Sequence, residues 1–212
     1  MSAARGETSE ITGISIVKTK LLMAVAAMLL AATGAARAED GPYVAASVGA
    51  FVGNDYTHAK TWKTAKGNAD KKYASTIAAG YRLDDFRFEL EGGFGRLADI
   101  SGTKSATVTQ PNGDLSMWTA LAGAYYDIPV TKKYQPYVGL GGGVADLKND
   151  SSLLVVKEGT HGALFAEAGL NMVVWDGLTV APGYRYLWVD AKGGGSDYVT
   201  SHIVKLTARA SF

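Results

Sequence analysis

Apolar and polar side chains alternate along most of this chain with a period of two. In residues 204–212, Val204, Leu206, Ala208, Ala210 and Phe212 share one parity, while Lys205, Thr207, Arg209 and Ser211 share the other. In residues 86–95 the contrast is sharpest: Phe86, Phe88, Leu90 and Phe94 alternate with Arg87, Glu89 and Glu91. Successive side chains of a strand point to opposite faces. Each such strand therefore has an aromatic or aliphatic wall and an ionic wall, and the two must meet different media. A sheet whose apolar wall faces lipid and whose polar wall faces a closed lumen is a transmembrane β-barrel. Lipid supplies no hydrogen-bond partners, so the sheet has to close on itself.

Eight strands are predicted, over residues 43–52, 73–83, 86–95, 115–128, 136–145, 162–174, 178–189 and 198–212. The fold class read from them is all-β: an eight-stranded antiparallel up-and-down transmembrane barrel. The connections alternate in length. Asp84-Asp85, residues 129–135 and Trp175-Asp176-Gly177 are short; residues 54–72, 96–114, 146–161 and 190–197 are long and polar. Short turns on the periplasmic side and long loops outside are the pattern of outer-membrane barrels. Pro182 interrupts the seventh strand; it cannot donate to a ladder, so a bulge or a local phase error is expected there.

The lipid wall assigned from parity holds Phe86, Phe88, Leu90, Phe94, Tyr126, Ile128, Val138, Leu140, Leu164, Leu170, Met172, Val180, Tyr184, Tyr186, Trp188, Val204, Leu206 and Phe212. Tyr81, Tyr126, Tyr137 and Phe212 are expected at the periplasmic rim, and Trp188 and Tyr198 at the outer rim, where aromatic girdles form. The inner wall is expected to carry a charge network of Arg82, Arg87, Glu89, Glu91, Asp127, Glu167, Arg185, Lys205 and Arg209. An eight-stranded barrel is just wide enough for side chains to fill. Enclosed charges must pair with one another or with trapped water. The network reads as an ionic plug that fixes barrel shape; a proton or ion path along it is the alternative. Gly93, Gly95, Gly139, Gly141, Gly143, Gly169 and Gly183 are expected to leave room for the long Arg and Glu chains.

The N-terminus changes the picture of location. Lys18 and Lys20 precede an apolar run over residues 21–32, which ends in Thr33-Gly34-Ala35-Ala36-Arg37-Ala38. A positive region, a short apolar region and a small-x-small ending describe a secretory signal peptide. The run is too short to span a bilayer as a helix. Cleavage is expected after Ala38, leaving residues 1–38 as the signal peptide and 39–212 as the barrel domain. The chain has no cysteine, so it has neither a disulfide framework nor a lipoprotein anchor. With 21 Lys and Arg against 20 Asp and Glu, it carries no basic footprint for nucleic acid.

Candidate chemistry is sparse. His58 and His161 fall in expected loops, and His202 lies near the outer end of the last strand. No histidine pair has the close spacing of a metal site on one element. Ser201-His202 could suggest a lipid-modifying hydrolase, but neighbours on a strand face opposite ways. GLGGG at 139–143 lacks the Lys-Ser/Thr ending of a phosphate loop and reads as a glycine-rich strand. No catalytic residue, cofactor or metal is assigned. Lys60, Lys63, Lys66, Lys71 and Lys72 cluster in the first long loop and read mainly as a solvated surface, with a polyanion such as lipopolysaccharide as the alternative.

PYVGLGGGVA at 136–145, AYYDI at 124–128, GYRY at 183–186 and the terminal Phe212 together resemble the opacity/OmpA-like outer-membrane barrel superfamily, in particular the small outer-membrane surface proteins of Gram-negative bacteria. The resemblance covers the whole mature chain. It implies an integral outer-membrane protein, folded by the barrel-assembly machinery, which reads the aromatic C-terminus. It implies a role in envelope integrity, adhesion or immune-exposed surface rather than catalysis. The periplasmic peptidoglycan-binding domain that larger relatives carry is not expected, since residues 39–212 are taken up by the barrel. The expected contacts are outer-membrane lipid and lipopolysaccharide, the assembly machinery, and host or cell-surface ligands met through the four loops. A small low-conductance pore, a lipid hydrolase and a soluble lipocalin-type barrel are the competing readings.

Overall fold

The computed structural model describes residues 40–56, 66–68, 73–101, 103–105, 108–109, 113–149, 158–190 and 198–212. Residues 1–38 and the cleavage position at Ala38 lie outside them, as do His58, Lys60, Lys63, Lys71, Lys72 and residues 191–197.

Eight antiparallel strands form a closed ring: β1 (Gly41–Tyr56), β2 (Tyr73–Leu83), β3 (Phe86–Ser101), β4 (Gly113–Asp127), β5 (Tyr134–Asn149), β6 (Gly159–Trp175), β7 (Leu178–Val189) and β8 (Val199–Ser211). Each strand pairs with its chain neighbours, and β1 pairs with β8, from Tyr43 opposite Ser211 to Tyr56 opposite Val199. This last pairing removes the edges, which is what hydrocarbon requires. The lipid-wall residues assigned from parity face outward; Leu90, Leu140 and Leu164 are each more than half exposed. A lipocalin-type barrel places such side chains inside, so the soluble reading is excluded by the sidedness of the sheet.

The two-residue turns follow from local chemistry. Asp84 has a φ of 53°, a left-handed conformation that Asp tolerates, and its N–H donates to Asp40 Oδ1 at 2.6 Å. Gly177, with a φ of 80°, closes the β6–β7 turn. The start of β1 and the end of β8 lie together at this short-turn end, where Phe212 N–H donates to the Pro42 carbonyl at 3.1 Å.

Several strands run further toward the long loops than the alternation indicated. β3 continues to Ser101, β5 to Asn149 and β1 to Tyr56, and β6 begins at Gly159. Backbone pairing persists where neither wall needs lipid, and there the apolar–polar contrast fades. Residues 66–68, expected in a loop, pair with the end of β3, and 103–105 pair with 108–109. His161, also expected in a loop, lies within β6 opposite Ala145.

Pro182 makes no bulge. It faces outward opposite Leu206 on β8. On the β6 side, pairing is interrupted between Val180–Met172 and Gly183–Gly169 and resumes in the same register. The Pro182 carbonyl points toward β6 over Gly169, so the missing N–H lies on that side too. The ladder skips a bond without slipping. Register shifts fall instead at Phe51/Gly53, Arg96/Ala98 and Leu178/Thr179.

The interior glycines have a different use from the one expected. At most of them aromatic rings rather than Arg and Glu chains fill the space: Tyr125 covers Gly139, Phe51 covers Gly95, and Tyr137 covers Gly169 and Gly183, whereas Thr119 and Thr76 face Gly93. At Gly143 the neighbour is backbone. A Cβ there would meet the Ala120 carbonyl and lie 2.9 Å from Leu121 Cα. Gly143→Ala is therefore expected to push β4 and β5 apart and to cost about 1–3 kcal/mol, read as a lower urea midpoint for the refolded barrel.

Candidate functional site

The strand pleat turns nine charged side chains inward, and their partners come from distant strands. Arg185 on β7 is the centre of the upper group. Its Nε donates to Glu167 Oε2 at 2.7 Å, its Nη2 to Glu91 Oε2 at 3.0 Å, and its Nη1 to Glu91 Oε1. Nη2 also reaches Tyr125 Oη at 3.3 Å. Lys205 Nζ lies 3.2 Å from Glu167 Oε2 and 3.6 Å from Glu91 Oε2. Two cations thus face two carboxylates. The Arg185 guanidinium stacks 4.3 Å above the Phe165 ring.

A second group lies toward the short-turn end. Arg87 Nε donates to both Asp127 oxygens at 3.0 and 2.9 Å, and its Nη1 to Glu89 Oε1 at 2.8 Å. Asn171 bridges: its Nδ2 donates to Asp127 Oδ1 at 2.8 Å, and its Oδ1 accepts from Arg209 Nη1 at 3.2 Å. Arg209 Nη2 is 3.9 Å from Glu89 Oε1. Arg82 sits at the rim, 3.6 Å from Asp127 Oδ2, with its side chain 27% exposed. Arg87 is 1% exposed. Charges so enclosed are tolerable only when paired and hydrogen-bonded.

Inward tyrosines complete both groups. Tyr43 donates to Glu89 Oε1 at 2.9 Å and Tyr137 to Glu167 Oε1 at 2.8 Å. Tyr137 was expected at the periplasmic rim; it lies inside, 3% exposed. Its parity with Gly139 and Gly141, opposite to Val138 and Leu140, was the available signal.

The lumen also differs along its length. Above the ionic groups, toward the long loops, Phe51, Leu97, Leu147, Phe165, Leu187 and Val199 are packed together, none more than 6% exposed. Among the described residues, the inward ion pairs lie in the lower part of the wall. Parity could have found this: Phe165 shares a face with Glu167, and Leu187 with Arg185.

The remaining candidates are dispersed. Ser201 is buried in the lumen, whereas His202 points outward between Tyr184 and Tyr186, with Nδ1 hydrogen-bonded to Tyr184 Oη. The two cannot share a substrate. Phe212 is half-buried at the end of β8. Among the described residues no group of three or more His, Cys, Asp or Glu side chains could hold a metal ion.

Comparison with known proteins gives this architecture a family. The outer membrane protein beta-barrel domain family matches residues 21–212. An uncharacterized protein of Brucella abortus (strain 2308) is 35% identical over 152 residues, which is 58% of this chain and 52% of the relative. The chain thus spans about half the length of the curated relatives it matches. Among solved structures, Neisserial surface protein A superimposes with a TM-score of 0.58 at 20% identity, covering 81% of this chain and 97% of that one. Outer membrane protein AlkL, solved in lipid bilayers, superimposes with a TM-score of 0.50 at 20% identity, covering 84% and 93%. At that identity the two structures speak for the fold. The chain belongs to the outer membrane protein beta-barrel domain family and is a multi-pass β-barrel of the outer membrane.

Proposed function

We propose that this protein is a closed, non-conducting barrel that serves the outer membrane as a structural and surface-interaction protein, its specificity carried by four extracellular loops. The observation that supports this is the filled lumen. Paired charges occupy the lower part, and packed apolar side chains occupy much of the upper part. An ion entering from outside would have to shed its water among Phe51, Phe165 and Leu187 before reaching any charge, and unpaired charge in such surroundings is costly. The nine charges have a role in this reading: they lock neighbouring strands together and set the platform from which the loops project.

The outer wall meets outer-membrane lipid and lipopolysaccharide, the barrel-assembly machinery reads Phe212, and host or cell-surface ligands are met by the loops. Catalysis has no place in the proposal, because Ser201 and His202 face opposite media. Planar-bilayer recording tests the central part. The refolded protein is expected to give no steady unit currents. Unit currents that change in size with Glu89→Gln or Arg185→Gln would establish the pore instead.

A further inference from the structure

The turn joining β4 to β5 is braced from within and tied to β6. Ile128 N–H donates to the Pro136 carbonyl at 2.7 Å, Tyr134 N–H donates to Thr131 Oγ1 at 2.9 Å, and Val173 N–H on β6 donates to the Lys133 carbonyl at 2.9 Å. This last bond sets the turn beside the β6–β7 turn that carries Trp175. Together they present large apolar side chains that nothing in the barrel covers: Trp175 is 73% exposed and Val130 64%. Lys132 and Lys133 are exposed on the same turn, and Lys133 Nζ lies 5.7 Å from the centre of the Tyr134 ring. Val174 on β6 and Val138 on β5, both about half exposed, carry apolar surface on the outer wall of the same strands.

Elsewhere the same rim carries mostly carboxylates, with Arg82 beside them donating to the Asp84 carbonyl at 3.0 Å. Asp40, Asp84 and Asp85 gather where β1 meets the β2–β3 turn. Asp176, beside Trp175, offsets part of the lysine charge, yet the β4–β5 turn itself carries two cations and no carboxylate. Short turns lie on the periplasmic side. The basic, aromatic arc therefore faces the headgroups of the inner, phospholipid leaflet.

We infer that Lys132, Lys133 and Trp175 form a docking site for a phospholipid with a net-anionic headgroup. The lysines pair with the headgroup phosphate while the indole and Val130 sit at the boundary between headgroup and acyl chain, where an aromatic ring with one polar edge is most stable. The site is independent of the loops and of lumen conductance, so it stands or falls separately from the proposed function.

Vesicles of phosphatidylcholine doped with lipid brominated near the headgroup end of its acyl chains test it. The share of tryptophan emission due to Trp175 is obtained by difference from Trp175→Phe, and each protein is checked for a heat-shifted gel band. Trp175's share is expected to reach half-maximal quenching at a mole fraction of brominated phosphatidylglycerol roughly fivefold or more below that of brominated phosphatidylcholine, since each interfacial lysine is worth about fivefold. K132Q/K133Q is expected to abolish the difference and leave quenching by phosphatidylcholine unchanged. Equal quenching by the two lipids in the unaltered protein would overturn the headgroup preference. Absence of quenching by either would place Trp175 outside the bilayer and assign the patch to a periplasmic partner instead.

Discussion

Arg185→Met is expected to destabilise the refolded barrel by about 3–5 kcal/mol, the cost of removing one member of a buried ionic group. The Arg185 side chain, 4% exposed, holds both oxygens of Glu91 and one of Glu167. Without it, Lys205 alone faces two enclosed carboxylates. Met fills similar volume, so the loss reads charge rather than a cavity. Urea unfolding in detergent or vesicles checks this as a fall in midpoint at unchanged slope. Adding Glu167→Gln to Arg185→Met removes one stranded charge, so the double variant is expected to lose less than the sum of the two singles. A loss below about 1 kcal/mol for Arg185→Met would mean that the network is solvated and the lumen open.

Leu90→Arg is expected to cost about 2–4 kcal/mol, although the position is already exposed. Leu90 stands on the outward face of β3 between Ala79 and Ala122, flanked on that face by Phe88, and 70% of its surface is uncovered by protein. On a water-facing surface such a change stays within about 0.5 kcal/mol. The expected penalty comes from the hydrocarbon opposite. Position therefore matters. Leu83, beside the Asp84-Asp85 turn, is also exposed, but near the interface the same substitution is expected to cost about 0–1 kcal/mol. Equal, small effects at both positions would deny that β3 faces lipid.

How much of this was readable in the chain varies by element. β3 was legible because Phe88 and Leu90 alternate with Arg87, Glu89 and Glu91, so one wall had to be dry and the other shielded. β2 and β7 were legible to the residue: each has one end at a tight turn, Asp84-Asp85 or Asp176-Gly177, and the other where apolar alternation gives way to the charged residues Lys71-Lys72 and Asp190. The loop-side ends of β1, β3, β5 and β6 were not, because backbone pairing beyond the membrane leaves no period in the side chains. Pro182 was misread for a related reason: the sequence marks a lost donor, but not that a ladder can skip one bond in register. In the site, parity sorted side chains by face but could not pair them. Arg185 and Glu91 are 94 residues apart in sequence and meet only because the ring closes. The apolar upper lumen was written in Phe165, Leu187 and Ile203 and was overshadowed by their charged neighbours. The inward tyrosines were overlooked because Tyr near a strand end suits a girdle equally well, and only the parity of Tyr137 with Gly139 separates the two.

Spin labels on adjacent residues of β3 put the sidedness of the barrel to its most direct test. The chain has no cysteine, so Phe88→Cys and Glu89→Cys each give a single labelling site, and Ala79→Cys and Ala78→Cys repeat the comparison where the inward side chain is small. In reconstituted bilayers the labels at 88 and 79 are expected to collide readily with dissolved oxygen and scarcely with a water-soluble relaxant, while those at 89 and 78 stay sheltered from oxygen. An oxygen-accessible label at 89 or 78 beside a sheltered one at 88 or 79, in protein that still shows the heat-shifted band, would turn the barrel inside out and contradict the account.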